Sequence, residues 1–99
     1  MTNPTLRVVA RLIAVPEKVD ALKTVLLALI EPTRQESGCI SYELLQNQFE
    51  PTDFTFVEEW TSNEALDNHL VSAHIEAAIA KLEGLIAAEP DIRRYHLLA

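Results

Sequence analysis

Four side chains able to do chemistry fall close together in this chain: Glu58, the sole tryptophan Trp60, His69 and His74. An indole offers a flat apolar surface to an aromatic ring, and an imidazole titrates nearer neutral pH than any other side chain. Together they could bind an apolar ring and move a proton. Glu58 precedes Trp60 by two positions, so in a strand both would point to one face and the carboxylate could orient a histidine. A one-residue change of register would put Glu59 there instead. Tyr42 and Phe56 add ring surface, and Tyr42 or Asn47 could donate a hydrogen bond to a developing oxyanion. His69 is the candidate base, and His74 a candidate pocket residue or helix start.

Each residue also has a structural reading. His69 could simply bond the adjacent loop, Trp60 could anchor a core or an interface, and Glu58 could pair with Arg7, Arg11 or Arg94. His96 reads as an interface or edge residue, and Cys39 as a small buried apolar group. No metal site is expected from spacing, because His69 and His74 are five positions apart whereas the helical two-histidine zinc pattern needs i, i+4. The chain has no glycine-rich phosphate loop either, which argues against nucleotide cofactors.

These residues must be carried by a succession of elements. Residues 6–15 are β-branched and aliphatic, with Arg7 and Arg11 on one face, which predicts a strand closed by Pro16. From Glu17 the apolar positions Val19, Leu22, Leu26, Leu29 and Ile30 have helical spacing. Pro32 should kink or end that helix, and Gly38 completes the stop. Residues 39–47 read as a second strand, Glu50–Asp53 as a turn, and Phe54 to Trp60 as a third strand. Thr61 and Glu64 have capping-box spacing, so a short helix should start near residue 62. Ser72 would cap a longer helix whose apolar stripe is Ile75, Ile79, Leu82, Leu85 and Ile86. Glu89-Pro90-Asp91 ends it, and residues 92–98 form a last strand. The order β-α-β-β-α-β predicts an α+β, ferredoxin-like antiparallel sheet with helices on one face.

Apolar residues nevertheless fall on both faces of the predicted sheet. Strand one has Leu6, Val8, Ala10, Leu12 and Ala14 on one side but Val9, Ile13 and Val15 on the other. Strand three likewise sets Val57 opposite Phe54 and Phe56. The second face is therefore expected to pack against another copy, as a symmetric homodimer.

Composition bounds the rest. Ninety-nine residues, 48% of them hydrophobic, are expected to make one domain spanning 1–99. Eight basic against fifteen acidic residues give −7, with no basic run longer than Arg93-Arg94, so nucleic acid is not an expected partner. One cysteine rules out a disulfide within these residues. The opening Met-Thr-Asn-Pro lacks the basic and apolar regions of a signal peptide, and no apolar run approaches membrane-spanning length. The expectation is a cytoplasmic protein with no membrane contact.

Gly38-Cys39-Ile40-Ser41-Tyr42, preceded by Pro32-Thr33-Arg34-Gln35-Glu36-Ser37, and the run from Glu58 to His69 closely resemble the antibiotic biosynthesis monooxygenase domain. Val8-Val9-Ala10-Arg11 and Pro90-Asp91-Ile92 extend the resemblance over essentially the whole chain. It implies a dimeric α+β barrel and an enzyme of the quinol or anthrone monooxygenase type, working on a small aromatic substrate and dioxygen without metal or flavin. It also admits an isomerase or a non-catalytic binding dimer on the same scaffold. The heme-degrading branch implies an asparagine in strand one, a tryptophan in the middle helix and a later histidine. Here strand one has none, His69 takes the middle position and the later histidine would fall near Ile79, so heme is disfavoured. On this reading His69 and Glu58 are catalytic, Trp60, Tyr42, Asn47, Phe56 and His74 bind substrate, and no cofactor is needed.

Overall fold

The computed structural model describes residues 4–99; Met1–Asn3, part of the opening segment read above for targeting, lie outside them. Four strands, β1 (Leu6–Ile13), β2 (Cys39–Gln46), β3 (Asp53–Trp60) and β4 (Asp91–His96), form one antiparallel sheet in the order β2-β3-β1-β4. Four α-helices, α1 (Val19–Leu27), α2 (Ile30–Arg34), α3 (Asn63–Leu70) and α4 (Ala73–Lys81), supply the crossovers. The expected α+β ferredoxin-like fold is present.

Alternation in β1 shows which face the helices cover. Leu6, Val8, Ala10 and Leu12 are buried, whereas Arg7, Val9, Arg11 and Ile13 keep partial or full exposure. Val8 lies opposite Glu58, and Ala10 opposite Phe56, so Phe54, Phe56, Glu58 and Trp60 share the helix-covered face. Register thus decides between the two glutamates: Glu58 faces inward and Glu59 outward. The inner face packs against Leu22 and Leu26 of α1, Leu66 of α3, and Ile75 and Ala78 of α4. Fully buried Trp60, Phe54, Leu22 and Leu26 each contribute about 1.5–3 kcal/mol of transfer free energy.

Three helix boundaries differ from the sequence pattern. The first helical region breaks at Ala28 and Leu29, not at Pro32, and Pro32 lies within the first turn of α2. The physical reason is that a proline ring crowds the carbonyl four residues earlier, here that of Ala28, so the kink precedes the proline by a turn. The cap of α3 is Ser62 rather than Thr61, its side chain accepting from the Ala65 amide at 3.1 Å. Helix α4 stops at Lys81, and the chain turns at Gly84, whose φ is +80°. Leu85 and Ile86 still reach the core, but from a loop: Val15 N–H donates to the Leu85 carbonyl at 2.9 Å, and Ile86 bridges to Ala14. Ser72 does cap α4, as expected.

Gly38 fixes the junction between α2 and β2. Its φ is +89°, and a Cβ there would lie 2.6 Å from the Ala65 Cβ and 2.8 Å from the Thr61 hydroxyl oxygen. Only glycine tolerates both the left-handed backbone and that approach. Its carbonyl accepts from the Thr61 N–H at 2.9 Å, holding the turn that bears Glu36 against the start of α3. Among the described residues, no helix is long and apolar enough to cross a membrane.

Candidate active site

Between the inner sheet face and the helices lies a cavity of about 120 Å³. Val8, Ala10 and Leu12 form its floor, and Leu66, Ile75 and Leu82 part of its roof. Among the described residues, its only polar lining residues are Tyr42, Glu58 and His69. Ile79 and Ile92 also line it while remaining about half exposed, so the cavity reaches solvent between α4 and β4.

His69 sits in the last turn of α3 and is buried. Its Nδ1 lies 2.5 Å from Glu36 Oε2, and its ring packs at 4.7 Å from Trp60 and edge-on at 5.6 Å from Tyr42. A carboxylate on Nδ1 holds the proton on that nitrogen and leaves Nε2 as the basic one. Nε2 has no hydrogen-bond partner among the described residues. Burial lowers the His69 pKa, with Glu36 pulling the other way, so near neutral pH the ring is an uncharged acceptor.

Glu58 is buried and faces the same cavity. Its partner is neither an arginine nor a histidine but the Trp60 indole, whose Nε1–H donates to Oε1 at 2.8 Å. Arg7 instead approaches Glu59 at 3.6 Å, Arg11 pairs with Asp53 at 3.1 Å, and Arg94 pairs with Asp67 at 2.7 Å. Burial without a cation pushes the Glu58 carboxyl up to about 7; the indole N–H opposes this and the Glu36 charge adds to it. The orienting role expected of Glu58 therefore falls to Glu36, which sequence reasoning missed. Glu36 lies in the turn between α2 and β2 and comes to His69 from 33 positions away. Its place two residues before Gly38 was the available signal.

The remaining expected site residues divide. Tyr42 and Phe56 line the cavity, stacked with ring centroids 4.8 Å apart. Burial, with the charge of Glu58, raises the Tyr42 phenol pKa, so the phenol stays a donor. Trp60 is fully buried behind His69 and does not line the cavity. Asn47 is a correction: its amide donates to Asp53 at 3.1 Å and its oxygen accepts from the Phe49 and Glu50 amides, closing the β2–β3 turn away from the cavity. His74 is another, since its Nε2 turns to Glu36 Oε2 at 2.9 Å from the first turn of α4, outside the lining. Glu36, His69 and His74 thus present three possible metal-ligating atoms within 4.8 Å of one another, a juxtaposition that sequence spacing did not show. His96 lies on exposed edge strand β4, and Cys39 is half-buried with its thiol pKa raised by burial.

The four-stranded antiparallel sheet with its helices on one face is that of a small α+β, ferredoxin-like protein. Residues 5–81 match the antibiotic biosynthesis monooxygenase family, and the chain belongs to it. Among solved structures, PA3566 from Pseudomonas aeruginosa is similar with a TM-score of 0.93 and 29% identity, covering 100% of this chain and 99% of that one. Rv0793 from Mycobacterium tuberculosis is similar at 0.89 and 30%, covering 96% of each chain; its name carries a provisional monooxygenase assignment. The protein sll1783 of Synechocystis is 34% identical over 82 residues, 83% of this chain but only 56% of that protein's length.

Proposed function

We propose that this chain is a cofactor-independent monooxygenase that oxidises a quinol-like phenol with dioxygen. The observation that carries this reading is His69, held by Glu36 through Nδ1 in the wall of an apolar cavity beside Glu58. An electron-rich hydroquinone bound there loses a hydroxyl proton to His69 Nε2. The resulting phenolate gives an electron to dioxygen, and the radical pair recombines on ring carbon. Overall, quinol and dioxygen yield a hydroxyquinone and water. Glu58, close to half protonated near neutral pH, donates a hydrogen bond to the second oxygen or takes its proton. Trp60 positions both groups, packing on His69 and bonding Glu58.

Size narrows the substrate. An apolar cavity of about 150 Å³ is known to admit benzene, and 120 Å³ is comparable. One ring enters as the cavity stands, and a second or third ring of a polycyclic phenol projects past Ile79 and Ile92. The protein acts as a cytoplasmic homodimer, its outer sheet face with Val57, Tyr95 and Leu97, all exposed, meeting a second copy; sedimentation as a monomer at micromolar concentration would remove that part.

The test is oxygen uptake on reduced benzoquinols, naphthoquinols and anthrones with a chelator present, comparing the protein with His69→Ala. Uptake above the autoxidation background that falls sharply in the variant supports the reading. Equal uptake in both removes His69 from the chemistry. No uptake on any of them favours an isomerase, for which Glu58 and His69 would be the proton-shuttling pair.

A further inference from the structure

We propose that Glu36, His69 and His74 form a binding site for a divalent ion of the zinc type, and that filling it converts His69 from a proton acceptor into a proton donor toward the cavity. The second clause rests on the reading of His69 as a base; the first does not.

The donor set comes from three separate places: the turn after α2, the last turn of α3 and the first turn of α4. His69 Nδ1 at 2.5 Å and His74 Nε2 at 2.9 Å converge on one oxygen, Glu36 Oε2. Two imidazoles and a carboxylate are the set with which zinc builds sites that keep a further position open. An ion inserted at the convergence point exchanges two N–H···O bonds for three coordination bonds. Tetrahedral ligands at metal–ligand distances of about 2.0–2.2 Å lie about 3.4 Å apart, so the two ring nitrogens would need to draw back from Glu36 Oε2 by roughly 0.5–1 Å. The Glu36 and His74 side chains are 16% and 24% exposed, against 4% for His69, so an ion approaches from solvent and not through the apolar cavity. Ser72 Oγ, 3.3 Å from His74 Nε2, offers a further oxygen at the edge of the cluster.

Proton accounting gives the consequence. In the ion-free cluster His69 carries its proton on Nδ1, facing Glu36. A metal on His69 Nδ1 moves that proton to Nε2, and a metal on His74 Nε2, which donates to Glu36 in the ion-free cluster, likewise moves that ring's proton to Nδ1. No net proton is released, and the Glu36 charge offsets part of the ion's. His69 then presents an N–H to the cavity and can no longer accept a phenolic proton. A zinc ion would therefore inhibit proton abstraction from outside the substrate pocket, without competing for the substrate's space.

The experiment is equilibrium dialysis and calorimetry of chelator-stripped protein against zinc ion alone. Saturable binding of a single ion per chain is expected. His74→Gln, whose amide can still donate to Glu36 but ligates zinc poorly, and Glu36→Gln should each weaken binding by about tenfold or more. His96→Ala, on the exposed edge strand, should leave it unchanged. Circular dichroism confirms that each variant folds, and either of the first two suffices if the other does not. Nitrogen-detected imidazole spectra of His69 should show the ring proton moving from Nδ1 to Nε2 on loading. Absence of saturable binding, or binding undiminished in both cluster variants, overturns the site. Binding with an unchanged His69 tautomer overturns the switch. Neither readout needs an oxygenation assay, so a failure here is distinguishable from a failure of the proposed reaction.

Discussion

Glu58 and Glu59 are adjacent carboxylates on one strand with opposite surroundings. Glu59, on the outer face, accepts the Thr5 hydroxyl at 2.6 Å, has Arg7 at 3.6 Å and keeps a quarter of its side chain exposed. Glu58, on the inner face, is buried, and among the described residues its one side-chain partner is the Trp60 indole N–H. An outward charge is stabilised by solvent and a cation at little cost. An inward one is held close to its protonation threshold, at about 7, where a carboxyl can both donate and accept. The outer face leaves its charges to solvent, whereas burial behind the inner face raises the pKa of Glu58 and lowers that of His69, favouring the neutral form of each.

The largest expected effect lies in the cavity that the inner face shares with the helices. His69→Ala should lower kcat/KM for quinol oxidation by about 10²-fold or more, read by oxygen uptake. Gly38→Ala should destabilise by about 4 kcal/mol, combining left-handed strain with overpacking against Ala65. Urea unfolding measures this, and a loss below about 1 kcal/mol would show that Gly38 does not hold the Glu36 turn as described.

The two glutamates can be compared directly. Glu58 binds its proton more tightly folded than unfolded, so its contribution to stability is complete below about 4.5 and is lost as pH rises through about 7. Glu58→Gln keeps an acceptor for Trp60 and removes that loss. It should raise stability at pH 8 by up to about 3 kcal/mol relative to its effect at pH 4, measured by urea midpoints at the two pH values. Burial lowers the His69 pKa, so His69 acts in the opposite sense, adding stability as pH rises toward its unfolded value. Glu59→Gln should change stability by less than about 1 kcal/mol, because its partner is a half-exposed arginine. Equal effects of the two substitutions would break the comparison.

The fold was legible because it rests on local pattern: period two in β1, helical spacing in α1, and Ser72 ahead of α4. Boundaries slipped where the cause acts at a distance along the chain, as with Pro32 bending the helix a turn upstream. The choice between Glu58 and Glu59 depended on pairing with Val8, which only the folded sheet supplies. The chemistry of Asn47 predicts an oxyanion donor, but an asparagine before a turn bonds the turn's own amides first. For Glu36 the sequence offers one signal, its place two residues before Gly38, and its partnership with His69 follows only from the close approach of Gly38 to Ala65 in the folded chain.

The most direct test of the central claim uses isotopically heavy dioxygen and a reduced naphthoquinol, in the presence of chelator, with mass analysis of the product. The account predicts a hydroxyquinone carrying one heavy oxygen, the other appearing in water, at a yield that collapses in His69→Ala. An unlabelled quinone, formed at the same rate with and without His69, would contradict it.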